Sequence, residues 1–497
     1  MGWRPQGPVA RPLLRHVVSI GPGPYAMAVC YNGRGNVNSG QNGNLRPMDF
    51  TTSCVHSANK SRLPRTRNMP WWMLAALVFL LVAGACRSPQ AENPTSPSPA
   101  LPPPDNRPGP PIAPDISSLP PREQQLVVWA PDFLEAGADD RERAILAAAY
   151  QRFEQAHNGV NLEVHIKAQF GTASMGNYLR SAQRVAPAIL PDLVLLDTQQ
   201  LWPLVDVGLI QPLDVANEVQ IADFYQFTLD AVTYQGQVYG IPYLADVIHL
   251  VYDPNRVNPA PPTWEELLQR GPSYLMPLGG SDGYGNDSLL LQYVGAGGQL
   301  LENGGLSNPE ALQAVLAFLH QAHSRGILPD TALTLADLDA VWTAFHAGAG
   351  AMAHVSAHTF LQDDGAGNGL GYAQVPTRQG LPATIARTWA FAILTNDPAR
   401  RTLALALVQE LLAPEVQGEW TALAHYLPSR RNSLEAWPDH GGYLDFLSRQ
   451  LEVAVALPNG RAFAEFSRNI QSLQQAVLRG ELTPEEALLQ MEAAAEP

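Results

Sequence analysis

The period of the hydrophobic positions switches repeatedly along the chain. Leu126-Val-Val-Trp129 is a short apolar run of strand type, whereas residues 139–157 place Ile145, Ala149 and Phe153 at helical spacing. Residues 160–166 alternate with a strand period, and 174–185 read as a helix closed by Pro187. Asp192-Leu-Val-Leu-Leu196 is a continuous apolar run ending at Asp197, the pattern of a strand covered on both faces. Strand, helix, strand, helix, strand predicts a parallel sheet with right-handed crossovers. Ligand sites in such sheets lie outside the carboxyl ends of the strands, which gathers Trp129, Phe170 and Asp197 near one edge.

Helix starts recur downstream. Thr263-Trp-Glu-Glu266 and Thr483-Pro-Glu-Glu486 have the order of a capping box, in which a hydroxyl and a carboxylate satisfy each other's free backbone N–H groups. Asn308-Pro309 and Asp397-Pro398 open apolar-periodic helices running to Gly326 and Leu412. Apolar strands return at 248–252, 351–355, 371–375 and 389–394. This alternation continues beyond one sheet, so two α/β lobes are expected.

Charge changes the picture at the N-terminus. The formal net charge is −15, which argues against a nucleic-acid binder built on a basic surface. Residues 1–72 nevertheless carry nine Lys or Arg against the single acid Asp49. Residues 73–85, MLAALVFLLVAGA, are too short to span a bilayer but suit the apolar region of a signal peptide, with Lys60, Arg62, Arg65 and Arg67 upstream. Small residues Ala83, Gly84 and Ala85 precede Cys86, as in a bacterial lipoprotein signal whose cysteine becomes the lipidated mature N-terminus. Residues 1–68 are then read as an over-extended start or leader, and 69–85 as the signal. Thirteen prolines among residues 87–122 make that stretch an extended tether. With only Cys30, Cys54 and Cys86, neither a disulfide framework nor a thiolate metal site is available.

At residues 234–253, YQGQVYGIPYLADVIHLVYD, the sequence resembles the bacterial extracellular solute-binding proteins of family 1, the receptors of carbohydrate-type ABC importers. Further family-like stretches follow in order: Pro262-Thr-Trp-Glu-Glu-Leu267, Ala344-Phe-His-Ala-Gly348, residues 389–394, Ala413-Pro-Glu-Val-Gln417, Tyr426-Leu-Pro-Ser429 and the tail 476–487. The resemblance implies a two-lobed, type II periplasmic-binding-protein-like α/β fold, its lobes joined by a hinge with a ligand cleft between them. The N-terminal lobe would take 123–246 plus 381–425, and the C-terminal lobe 247–380 plus 426–497. It implies no enzymatic activity and no cofactor. Partners would be a small solute, expected to be a sugar, the ABC permease subunits and the membrane through lipid on Cys86, the receptor itself being a monomer. A polyamine, a sugar phosphate, a metal complex, or a role presenting ligand to a sensor are the alternatives.

A sugar site needs flat aromatic faces plus side chains that exchange hydrogen bonds with hydroxyls. Trp129, Tyr243, Tyr284 and Trp389 are the aromatic candidates, with Phe170 at the strand edge. Trp389 stands in Arg387-Thr388-Trp389, where the family usually has Gly-Gly-Trp. Asp197, Gln199 and Asp246 are the polar candidates, although an Asp at a strand end also suits a helix cap. Ser356 and His358 stand where relatives often carry a Gly-Pro-Trp stretch. The Gly279–Gly285 loop lacks the Lys of a phosphate loop. His320 with His323, and His354 with His358, have metal-like spacings without a third ligand, so no metal site is expected. HExxH is absent.

Overall fold

The computed structural model describes residues 125–134, 140–214, 222–280, 286–437 and 442–495. The leader, the signal segment, Cys86, the proline tether and Tyr284 lie outside those residues.

The chain begins with β1 (Gln125–Pro131), β2 (Asn161–Lys167) and β3 (Leu193–Asp197). β1 is central and pairs in parallel with both others, with the helices Asp140–Ala156 and Met175–Val185 as crossovers. A hairpin follows, β4 (Thr233–Tyr234) and β5 (Gln237–Val238), with Gln235 and Gly236 both at positive φ in its tip, as a tight hairpin turn requires. Next come β6 (Ile241–Tyr252), β7 (Tyr274–Leu275), β8 (Met352–Ser356), β9 (Gly371–Ala373), β10 (Thr384–Ile393), β11 (Leu427–Pro428) and β12 (Ala454–Ala456). Ten of these strands form one sheet in the order β2-β1-β3-β10-β6-β8-β7, with β9 and β11 also on β6 and β12 on β10.

β6 and β10 serve both lobes. The far half of β10 pairs antiparallel with β3 through Trp389–Asp197 and Ile393–Leu193, while its first three residues pair with β12. The near half of β6 pairs with β10, and its far half, from Ile248, pairs with β8 and β9. Sequence pattern predicts only the end segments 248–252 and 389–394. The remaining stretches carry polar residues that a strand pattern does not anticipate. Thr384 is buried because its hydroxyl donates to Ile248 O at 2.7 Å and accepts from Ile248 N at 3.1 Å.

Separate cores flank the crossing strands. On the N-terminal side, Leu126, Phe153, Leu195, Phe391 and Trp420 fill one face, and Met175, Leu179, Val194, Leu196 and Ala392 the other. On the C-terminal side Leu250, Tyr274, Leu290, Leu316, Val355 and Phe466 belong to a larger cluster, which Tyr225, Phe227 and Ala231 also join. Each fully buried Leu, Val, Phe or Met among them contributes about 1.5–3 kcal/mol. Gly240, just before β6, sits close to its neighbours: a Cβ there would lie 3.2 Å from Phe391 O and from Ala390 Cβ, a tight contact that they would have to yield to.

The helix starts carry the expected caps. Thr263, Asn308 and Asp397 accept from Glu266 N, Ala311 N and Ala399 N respectively. Thr483 and Glu486 close both halves of a capping box, at 3.1 and 2.8 Å. Gly279 and Gly280 are packed rather than loose, since a Cβ on either would come within 3.0 Å of Thr334 or Gln471.

Candidate functional site

Strand register collects the site. Asp197 on β3 faces Trp389 on β10, and Arg387, two residues earlier on β10, faces Asp246 on β6. Directly opposed residues of an antiparallel pair project to the same face, so these four side chains leave the crossing strands on one side. Between Trp389 and Ala390 the β6–β10 register slips by one residue, leaving Tyr243 without a partner on β10. Such a bulge re-aims side chains, and here consecutive Tyr243 and Leu244 both enter the same core.

A cavity of about 630 Å³ opens beyond the carboxyl ends of β2 and β3. Phe170, Asp197, Gln199 and Trp389 line it, together with Gln169, Asn177, Arg180 and Arg387. Phe170 is 62% exposed, an unusual state for a large aromatic. The Trp389 ring is positioned by its Nε1–H, which donates to Gln169 Oε1 at 2.9 Å. A smaller cavity of about 70 Å³ shares Gln199 and Arg387 with the first and reaches the other lobe at Asp287, Leu290, Ser467 and Arg468. Gln199 also donates to Leu457 O at 3.0 Å, a further link across the cleft.

The Arg387 guanidinium is the electrostatic centre. It donates to both Asp287 carboxylate oxygens, at 2.6 and 2.9 Å, and lies 3.6 Å from Asp197. Burial raises the Asp197 pKa, and Arg387 pulls it back. Asp197 also accepts from Gln199 N at 2.8 Å, capping the turn that presents the Gln199 amide.

A second group adjoins the first through aromatic rings. Trp389 meets Phe133 edge-on at 5.8 Å and Tyr426 at 5.3 Å, and Tyr426 stacks on His358 at 4.1 Å. Asp246 accepts from His358 N at 3.0 Å and Val247 N at 2.9 Å, and burial raises its pKa while His358 lowers it. Ser356 caps the helix Ala357–Gln362 by accepting from Thr359 N at 3.1 Å. Asp246 and Ser356 thus have the capping roles that short polar side chains commonly take at strand ends.

The sequence matches the family model of bacterial extracellular solute-binding proteins over residues 148–441, more than half of the chain. The chain belongs to that family. Solved structures agree on the fold. The cyclic α-maltosyl-1,6-maltose binding protein of Arthrobacter globiformis superposes with a TM-score of 0.62 at 19% identity, over 74% of this chain and 97% of that one. The sugar-binding protein MalE of Xanthomonas citri gives 0.61 at 20% identity, over 74% and 96%. A cyclo/maltodextrin-binding protein complexed with maltotetraose gives 0.59 at 20%, over 74% and 96%. This two-lobed solute-binding fold is a binding scaffold, not an enzyme.

Within this solute-binding protein the expected residues divide into three sets. Phe170, Asp197, Gln199 and Trp389 converge on the larger cavity, and Asp246, Ser356 and His358 form the adjoining group. Trp129 and Tyr243 depart from expectation. Trp129 is as buried as Trp389, both being 7% exposed, but unlike Trp389 it lines neither cavity: it packs with Met175 and Leu179 and is covered by Lys167, whose Nζ lies 5.0 Å from the ring. Tyr243 is 1% exposed between Phe391 and Trp420, with ring centroids 5.0 and 6.0 Å away, and its hydroxyl makes no hydrogen bond within the protein. The bulge places it in the core, so it offers no free face to a ligand. Sequence reasoning missed Gln169, Arg387, Asp287 and Tyr426. Arg387 had one available signal, since strand alternation puts it on the same face as Trp389. Among the described residues no cluster of three or more His, Cys, Asp and Glu could hold a metal.

Proposed function

We propose that this receptor captures a saccharide in the cleft between its lobes and delivers it to an ABC permease, held at the membrane by lipid on Cys86. The carrying observation is the 630 Å³ cavity, whose lining combines the aromatic side chains Trp389 and Phe170 with the amides Gln169, Gln199 and Asn177 and the carboxylate Asp197. Aromatic faces cover the CH faces of a sugar ring, while amides and carboxylates exchange hydrogen bonds with its hydroxyls. The relatives named above, described as binding maltose-type sugars, support the same reading. Closure follows from differential affinity: a ligand touching both lobes stabilises the form in which both touch it. The N-terminal sequence supports anchoring, because Cys86 follows a short apolar run and precedes a proline-rich stretch.

The test is a saccharide library screened by thermal shift, followed by calorimetry on the hits. Specific stabilisation by at least one saccharide is expected. Stabilisation only by amino acids, polyamines or metal complexes would overturn the saccharide assignment. For anchoring, Cys86→Ser should release the protein from membranes with solute affinity unchanged. Membrane retention of that variant would contradict lipid attachment.

A further inference from the structure

The cleft carries more positive charge than a neutral sugar requires. Its two adjoining cavities are lined by Arg180, Arg387 and Arg468 against Asp197 and Asp287, in a chain whose formal net charge is −15. Arg387 is already satisfied by Asp287 and Asp197. The other two are not matched by acids. Arg180, on the helix Met175–Val185, donates to Asn177 Oδ1 at 2.5 Å, and Arg468, on the helix Arg461–Leu478, lines the smaller cavity. Among the described residues neither forms a salt bridge with a carboxylate. Glu465 stands one turn before Arg468 on the same helix without bridging to it.

Resting on the saccharide reading, we propose that the preferred ligand is an acidic saccharide, bearing carboxylate, sulfate or phosphate, with Arg180 and Arg468 as its charged contacts. A guanidinium presents a planar fork of donors that matches such groups, and charge-assisted hydrogen bonds are about twice as strong as neutral ones. One arginine lines each of the two adjoining cavities, so an anionic ligand that engaged both would favour closure. A cationic solute would meet two unneutralised guanidinium groups, which disfavours it.

The experiment is calorimetric titration of the purified protein with trigalacturonate, a sulfated disaccharide, a sugar phosphate and neutral maltotriose, at low salt and at about 0.3 M salt. At least one acidic probe should bind about tenfold or more tighter than maltotriose and weaken as salt rises. Arg180→Gln and Arg468→Gln should each weaken that probe by about tenfold and weaken maltotriose distinctly less, with the melting temperature unchanged. Maltotriose binding as tightly as every acidic probe would overturn this inference and leave the saccharide reading standing. So would equal losses for acidic and neutral probes in both variants. Binding of none of the four would overturn this inference, with the saccharide reading decided separately by the library screen.

Discussion

Two aromatic residues on adjacent strands have opposite consequences. Tyr243 sits in the N-terminal core with an unpaired hydroxyl, so Tyr243→Phe removes a buried polar group that nothing satisfies. It should leave solute affinity unchanged and be neutral or stabilising by about 1 kcal/mol in chemical denaturation. A tenfold loss of affinity would return Tyr243 to the site. Trp389 lines the cavity and is held by Gln169, so Trp389→Ala should weaken saccharide binding by about 1–3 kcal/mol, measured where the variant is fully folded. Two buried histidines set the acid response. Burial lowers His249 to about 4 and His354 to about 3, so both are neutral in the folded protein at pH 7. The unfolded chain binds those protons near 6.5, so unfolding takes up protons and stability falls as pH drops below that value. For His249 the loss between pH 7 and pH 4 should be about 3 kcal/mol, and His249→Gln should flatten that slope. Asp197 contributes with the opposite sign: its raised pKa favours the folded state at acid pH, an advantage lost as pH rises through the folded value. A denaturation midpoint insensitive to pH in this range would contradict the histidine assignment.

Among the elements, the crossing strands β6 and β10 matter most, and they were only partly legible. Helices announced themselves because their signals are local: Asn308, Asp397 and Thr483 cap where their sequence positions predict. The parallel β1, β2 and β3 were equally plain, β1 and β3 as apolar runs and β2 by its alternation, with periodic helices between them. The length of β6 and β10 was not legible. Thr384 and Arg387 are placed by contacts from distant segments, whereas the buried Thr388 hydroxyl has no hydrogen-bond partner. For Arg387 the cause is long-range charge pairing, since its carboxylates come from β3 and from the helix Asp287–Gly295. The site was legible to the same degree. Asp197 and Phe170 followed from the rule about strand ends, whereas Gln169 and Asp287 depend on register and lobe packing that no local pattern encodes. Tyr243 misled because a one-residue slip sends two consecutive side chains into one core. Arg387→Gln should expose the element-level role. It leaves Asp197 and Asp287 facing each other without a cation, so the loss of stability relative to wild type should be larger at pH 7 than at pH 4.5. Equal losses at both pH values would show that the guanidinium acts through packing alone.

For the whole molecule, β6 and β10 connect separately packed cores, and the candidate cavity opens beside them beyond the carboxyl ends of β2 and β3. If the proline-rich residues 87–122 act as a tether, as their composition leads us to propose, a shortened protein beginning at Gln124 should keep the melting temperature and solute affinity of the longer one. A marked drop in melting temperature would give residues before Gln124 a structural part. The central claim is that a saccharide binds between the lobes against Trp389. Calorimetric titration of wild type and Trp389→Ala with the best saccharide from the screen tests it most directly. One-to-one binding by wild type, weakened about tenfold or more in a folded Trp389→Ala protein, is the predicted result. Full affinity in that variant, or no saccharide binding by wild type, would contradict it.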